Sequence, residues 1–136
     1  MSQFISKPLL VRYGETDQMG IVHHSNYLRY FEVARLEWLT NLGLSYALME
    51  KEGIVMPVID VKLTYNTPAF FEDMLTIHIF LNEVPKVKII FLYKIKNQKN
   101  DLVCSGETTL AFLNAKSRKP IRCPEKFKML FSFENK

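Results

Sequence analysis

Residues 13–31 read YGETDQMGIVHHSNYLRYF. One carboxylate, Asp17, stands six residues before a pair of histidines. An aromatic-rich run follows them, and its apolar residues recur at helical spacing. From Asn26 that spacing holds to Leu42. At about 100° per residue, Tyr27, Phe31, Ala34, Trp38 and Leu42 share one face, which Leu28 and Leu39 widen. Val33 and Leu36 fall toward the opposite side, which predicts a helix covered on more than one face. Arg35 lies inside the apolar arc and needs a partner, either Glu32 or a residue from elsewhere in the chain. Ser25 or Asn26 can cap the helix start. Gly43 can end it in the left-handed conformation, with Leu44 folding back on Leu39.

Outward from this helix the periodicity changes. A short strand is expected before it, from about Leu9 to Tyr13, and a helical turn after it, around Tyr46 to Lys51. Apolar residues then alternate with polar ones. Ile59, Val61, Leu63 and Tyr65 form one row, Leu75, Ile77, Ile79 and Leu81 a second, and Val87, Ile89, Phe91, Tyr93 and Ile95 a third. Ile90 and Leu92 make the other face of the third strand partly apolar. A last strand covers about Leu102 to Leu113. Asn82 to Pro85 and Asn97 to Asp101 are short polar connections of the hairpin kind. Pro124 opens a terminal helix whose Phe127, Leu130 and Phe131 return to the body. These elements predict an α+β fold, an antiparallel sheet wrapped around one long central helix, in a single domain spanning 1–136.

Composition narrows the function classes. With 48% hydrophobic and 24% charged residues in 136, the chain is expected to be a folded globule, not a disordered segment. No apolar run approaches the roughly 20 residues of a membrane helix. The segment MSQFISKPLL lacks the apolar core and cleavage site of a signal peptide. Cys104 and Cys123 are then expected as free thiols in a reducing compartment, and the cytoplasm as the location. The net charge of +4 is gathered in two clusters. One holds Lys86, Lys88, Lys94, Lys96 and Lys99, the other Lys116, Arg118, Lys119 and Arg122. Such clusters are either solvated surface or attractors of an anionic ligand. Nucleic acid is the weaker choice, because the glycine and aromatic pattern of an RNA-binding sheet is missing.

Three readings compete for Asp17, His23 and His24. A metal site would need more ligands at fixed spacing than the sequence offers, since neighbouring histidines diverge in an extended chain. A structural role would have Thr16 and Asp17 cap a turn while His24 satisfies backbone groups. The third reading uses the helix start, whose first N–H groups are unpaired and carry partial positive charge. No acid occurs between Gln18 and Phe31 to compete for those donors. An open helix start of this kind can hold a carbonyl oxygen and the oxyanion formed on attack, with Asp17 as nucleophile or general base. No G-x-S-x-G serine elbow is present. Cys104 lies mid-strand and Cys123 precedes a proline, so neither has a nucleophilic setting.

The run VRYGETDQMGIVHHSNYLRYFEVARLEWL, residues 11–39, resembles the signature of hotdog-fold acyl-CoA thioesterases of the 4-hydroxybenzoyl-CoA thioesterase and YbgC type. Its core, Y-x-x-T-D-x-x-G-x-V-x-H-x-N-Y-x-x-[FW]-x-E-x-A-R, is matched between Tyr13 and Arg35. Over the remainder, the resemblance lies in length and strand order.

The resemblance implies a hotdog fold, homodimers with active sites at their interface, and dimers of dimers. It implies Asp17 as nucleophile or general base, the His24 N–H as the group polarising the thioester carbonyl, and Tyr13 beside Asp17 as a hydrogen-bond partner. It implies that His23 orients groups or lines the pocket, and that no metal or bound cofactor is needed. Acyl-CoA is then the expected partner, with coenzyme A entering as part of the substrate. The acyl chain is expected against Met19, Ile21 and Met56, near Asn26 and Tyr27 at the helix start. Lys86, Lys88, Arg118 and Lys119 are the candidates for the coenzyme A phosphates. His78 is expected to be structural. A non-catalytic acyl-CoA or acyl-carrier binding module is the alternative. A dehydratase ranks third, because its catalytic group would lie within the helix and Asp17 precedes it.

Overall fold

Along one row, the sheet runs from Ile79 through Tyr93 and Gly106 to Leu63 on four neighbouring strands, and the long helix lies over that row. The computed structural model describes residues 2–131. Its strands are β1 (Ser2–Ile5), β2 (Leu9–Leu10), β3 (Ile54–Val55), β4 (Val58–Tyr65), β5 (Met74–Leu81), β6 (Lys88–Lys96), β7 (Leu102–Ala111) and β8 (Leu113–Asn114). Its helices are α1 (Asn26–Asn41), α2 (Tyr46–Lys51) and α3 (Glu125–Lys128). The main sheet has the order β1-β5-β6-β7-β4, all antiparallel, with β2 continuing beside β5. β3 and β8 form a separate two-stranded pair.

The period-2 rows of β5 and β6 are buried as the alternation requires: Leu75, Ile77, Ile79, Leu81, Ile89, Phe91, Tyr93 and Ile95 form the floor of the core. α1 supplies the other side with Tyr27, Tyr30, Phe31, Ala34, Trp38 and Leu39. The Phe31 ring stacks on Tyr93 with centroids 4.0 Å apart. That approach needs a glycine beneath it, because a Cβ on Gly106 would stand 2.7 Å from Phe31 Cε2 and 2.7 Å from the Lys62 carbonyl oxygen. Gly43 takes φ +85°, and the Leu44 N–H bonds the Leu39 carbonyl at 2.8 Å, so the helix ends in a Schellman turn.

Four expectations change. The first strand lies earlier than Leu9 to Tyr13. β1 and β2 share β5 as partner across a kink at Pro8, where the Ser6 hydroxyl accepts from the Ile77 N–H at 3.0 Å, and Tyr13–Glu15 is a 3-10 turn. The last strand breaks at Phe112, after which β8 leaves to pair with β3. α1 is covered on one face only within the chain, and Leu28, Val33 and Leu36 stay exposed. The row of β4, a sheet edge, is covered only in part: Leu63 packs against the core, while Ile59 is 50% and Val61 37% exposed.

Arg35 is buried and donates to the Tyr93 hydroxyl at 3.0 Å, which in turn bonds Thr108 at 2.6 Å. Its ion pair with exposed Glu32 is long, at 3.9 Å, and contributes little. Among the described residues its Nε has no hydrogen-bond partner.

Gly106→Val should destabilise the fold by about 1–3 kcal/mol through overpacking against Phe31. Urea denaturation reads this directly, and an unchanged midpoint would show that Phe31 does not depend on the glycine.

Candidate active site

Asp17 sits at the tip of a small hairpin. Thr16 pairs with Val22 and Ile21 with Phe70, while the Asp17 N–H bonds the Ile21 carbonyl at 2.8 Å. Asp17 to Gly20 form a tight turn closed by the Gly20 N–H on the Asp17 carbonyl at 2.9 Å, with Gly20 at φ +81°. Asp17 Oδ1 accepts from the Met19 N–H at 2.8 Å and more weakly from the Ile21 N–H at 3.4 Å. Among the described residues Oδ2 has no hydrogen-bond partner. Oδ1 thus fixes the turn.

The hairpin is tied to the start of α1 by Glu15. Its carbonyl accepts from the His23 N–H and from Asn26 Nδ2, both at 2.8 Å. Its carboxylate accepts from the Arg12 N–H at 2.8 Å, from the Arg12 guanidinium at 3.0 Å and from the Tyr30 hydroxyl at 2.9 Å. Burial alone would raise the Glu15 pKa, but the hydrogen bonds from Arg12 and Tyr30 outweigh it and hold the carboxylate below its ordinary value.

No side chain caps α1 and no acid occupies its first turn. Ser25 is taken up by His23, whose Nδ1 lies 2.8 Å from Ser25 Oγ and accepts from the Ser25 N–H at 3.2 Å. The backbone duty expected of His24 thus falls to His23, which is on no wall of the cavity. The His24 N–H has no acceptor among the described residues.

A cavity of about 320 Å³ is lined by Asp17, Met19, Ile21, Val22, His24 and Tyr27 together with Tyr65, Asn66, Thr67 and Pro68. On the other side of Asp17 an open groove of about 590 Å³ runs past Tyr13, Thr16, Gln18 and Phe71. Of the residues singled out in the sequence, Asp17, His24, Met19, Ile21 and Tyr27 come together in the cavity. Tyr13 shares the groove with Asp17, but its ring packs edge-on against Phe71 at 5.6 Å, and its hydroxyl makes no hydrogen bond among the described residues. Asn26 is buried with its amide on Glu15 and does not line the cavity.

Met56 is not at the cavity either. It is a core residue whose carbonyl accepts from the Tyr46 hydroxyl at 2.7 Å. It precedes β4, and the cavity lies at that strand's far end, eight residues or roughly 25 Å away at about 3.3 Å per residue. Lys86, Lys88, Arg118 and Lys119 are exposed at the same distant end, where Lys88 pairs with Ala111 and Asn114 bonds Lys119. His78 faces away from the core and bonds Gln3 at 2.8 Å. Sequence reasoning missed Tyr65 to Pro68, because Tyr65 was counted with a core-facing row and N-T-P reads only as a strand end. It also missed Glu15.

No three His, Cys, Asp or Glu side chains come close enough to hold a metal ion among the described residues. Cys104 lies behind the cavity near Tyr27 and Tyr65, and burial pushes its thiol up to about 12. Burial likewise pushes the Tyr27 hydroxyl up to about 12, so both stay protonated at neutral pH.

The model of the thioesterase-like superfamily matches residues 11–131. The chain belongs to that superfamily. This thioesterase-like chain is 35% identical to YneP of Bacillus subtilis over 89% of its length and 88% of the relative's. It is 30% identical to the acyl-CoA thioesterase YbgC of Haemophilus influenzae over 93% of both chains. Its fold superposes on the DHNA-CoA thioesterase of Staphylococcus aureus with a TM-score of 0.84 and 37% identity, covering 90% of this chain and 81% of that one. The hotdog architecture implied by the resemblance, an antiparallel sheet around one long helix, is the one observed. In the signature, position 30 carries Tyr in place of Phe or Trp, and that hydroxyl is the one on Glu15.

A thiol reagent at pH 8 should leave Cys104 and Cys123 unmodified in the native protein, since burial raises both pKa values to about 12 and the thiols stay protonated. Both should react once the chain is unfolded. Rapid native labelling of Cys104 would reopen it as a nucleophile.

Proposed function

We propose that this protein hydrolyses acyl-CoA thioesters to the free acid and coenzyme A, with Asp17 driving the attack. The observation that carries the reading is a cavity lined by Asp17, whose Oδ2 has no hydrogen-bond partner among the described residues, together with His24 and Tyr27 at the start of α1. The thioester carbonyl oxygen accepts from the His24 N–H, where the helix start favours negative charge. Asp17 Oδ2 attacks the carbonyl carbon or deprotonates the water that does. The C–S bond then breaks. Where Asp17 is the nucleophile, a water hydrolyses the resulting Asp17 mixed anhydride to the free acid. On either path the proton given up by the water goes to the thiolate, so that coenzyme A leaves as the thiol. Met19, Ile21, Tyr27 and Tyr65 receive the acyl group, and Tyr13 borders the path of the thiol arm. The chain's own side chains and amide supply every reacting group, so the proposal calls for no metal or cofactor. The names of the relatives support the substrate class, and the two free thiols agree with a cytoplasmic enzyme.

The basic residues fit this reading only through a second copy. β4 is an exposed edge with Val58, Ile59 and Val61 uncovered, a strand that invites pairing with its own kind. Two such edges paired antiparallel about a two-fold axis bring the Val58 end of one copy to the Tyr65 end of the other. The basic end of the second copy then lies beside the Asp17 cavity, where it can meet the coenzyme A phosphates. A dimer of dimers built on this pair is the assembly proposed.

Thiol release measured over short, long and aromatic acyl-CoAs should show turnover, and Asp17→Asn should lower kcat by about 10²–10⁴-fold on the preferred substrate. Full turnover by Asp17→Asn would refute the mechanism, and saturable binding without turnover in the wild type would identify a binding module. Ile59→Glu with Val61→Glu should give a monomer by light scattering that has lost turnover. A monomer that keeps full turnover would contradict the shared site.

A further inference from the structure

We infer that Glu15 is a positioning residue of the active site, acting with the Tyr30 hydroxyl to hold the Asp17 hairpin at a fixed distance from the start of α1. The inference rests on the Asp17 reading above. Glu15 lines neither the cavity nor the groove, yet it ties the strand that carries Asp17 to the start of α1. Its carbonyl bonds His23 N–H and Asn26 Nδ2 in the segment that begins α1, and its carboxylate bonds Tyr30 one turn further on. Asp17 follows two residues later. The bonds are well protected: Tyr30 is 2% exposed, Asn26 8% and the Glu15 side chain 14%. Arg12 closes the network from the outer side, its guanidinium 3.0 Å from the second carboxylate oxygen.

The chemistry explains why such a staple matters. One face of the carbonyl carbon must meet Asp17 Oδ2 while its oxygen meets the His24 N–H. Those groups lie on different elements, a hairpin tip and a helix start. Pairing of Thr16 with Val22 fixes the hairpin internally, and the Glu15 bonds to Asn26 and Tyr30 tie it to α1 itself. A misplacement of about 1 Å in such a pair can cost 10²-fold in rate. The Tyr30 ring also stands edge-on to Tyr27, 5.8 Å between centroids, so the same anchor bears on the cavity wall.

The test is steady-state kinetics and thermal melting on wild type, Tyr30→Phe, Glu15→Ala, Glu15→Gln and the Glu15→Ala/Tyr30→Phe double variant, with Asp17→Asn alongside. Tyr30→Phe removes one oxygen from an otherwise unchanged ring, so its fold should persist. The expected result is that Tyr30→Phe and Glu15→Ala each lower kcat by about 10-fold or more with KM within about twofold. The double variant should be no worse than the worse single one, as expected for partners in one bond. Glu15→Gln keeps an acceptor for Tyr30 and should recover most of kcat. A lowered melting temperature with wild-type kcat in Tyr30→Phe and Glu15→Ala would overturn the inference and leave Glu15 a stability residue. So would additive losses in the double variant. If Asp17→Asn abolishes turnover while these variants keep it, only the positioning role fails. Full activity of Asp17→Asn, or no turnover by the wild type, removes the underlying mechanism and the positioning role with it.

Discussion

Phe31 lying flat on Tyr93 over a glycine is the contact on which the rest of the molecule depends. It brings α1 as close to β6 and β7 as two backbones with one ring between them allow. Burying aromatic surface on that scale contributes roughly 1.5–3 kcal/mol per ring. It also fixes the height of α1 over the sheet, and therefore where its first turn points. The Arg35 guanidinium is held in the same layer by the Tyr93 hydroxyl, so the ring that supports Phe31 also gives the buried cation of the helix a hydrogen-bond partner.

With α1 so placed, two ordinary local structures become a site by meeting. A helix start without a side-chain cap or an acid in its first turn leaves the His24 N–H without an acceptor among the described residues. A four-residue turn with Asp at its first position needs only one carboxylate oxygen to hold itself together. Facing each other across an apolar cavity, the spare amide and the spare oxygen are complementary to a carbonyl under attack. The turn-capping and reactive readings of Asp17 were alternatives in the sequence. In the folded chain the two oxygens allow both.

Much of this was legible in the residues. The switch from helical to alternating spacing after Gly43 placed α1 and the central strands, because those elements bury one face each and the core leaves its period in the sequence. What failed did so for identifiable reasons. Met56, Lys86, Lys88, Arg118 and Lys119 were grouped with the site by residue type, but registry along β4 and β7 puts them a strand length away. The row of Ile59, Val61 and Tyr65 and the outer face of α1, at Val33 and Leu36, carry a core-like pattern that one chain does not bury. Alternation records that a face is meant to be covered, not which chain covers it. Glu15 left no pattern, since much of its work is done by a backbone carbonyl that every residue possesses.

The proposed reaction depends on one geometry, a thioester carbonyl held between the His24 amide and Asp17. A crystal structure of the Asp17→Asn protein with an uncleaved acyl-CoA reads it directly. The carbonyl oxygen should lie about 2.7–3.1 Å from the His24 backbone nitrogen, with the carbonyl carbon facing the residue-17 side chain and the acyl group in the cavity beside Tyr27 and Tyr65. A carbonyl turned away from the start of α1, or an acyl group bound outside that cavity, would contradict it.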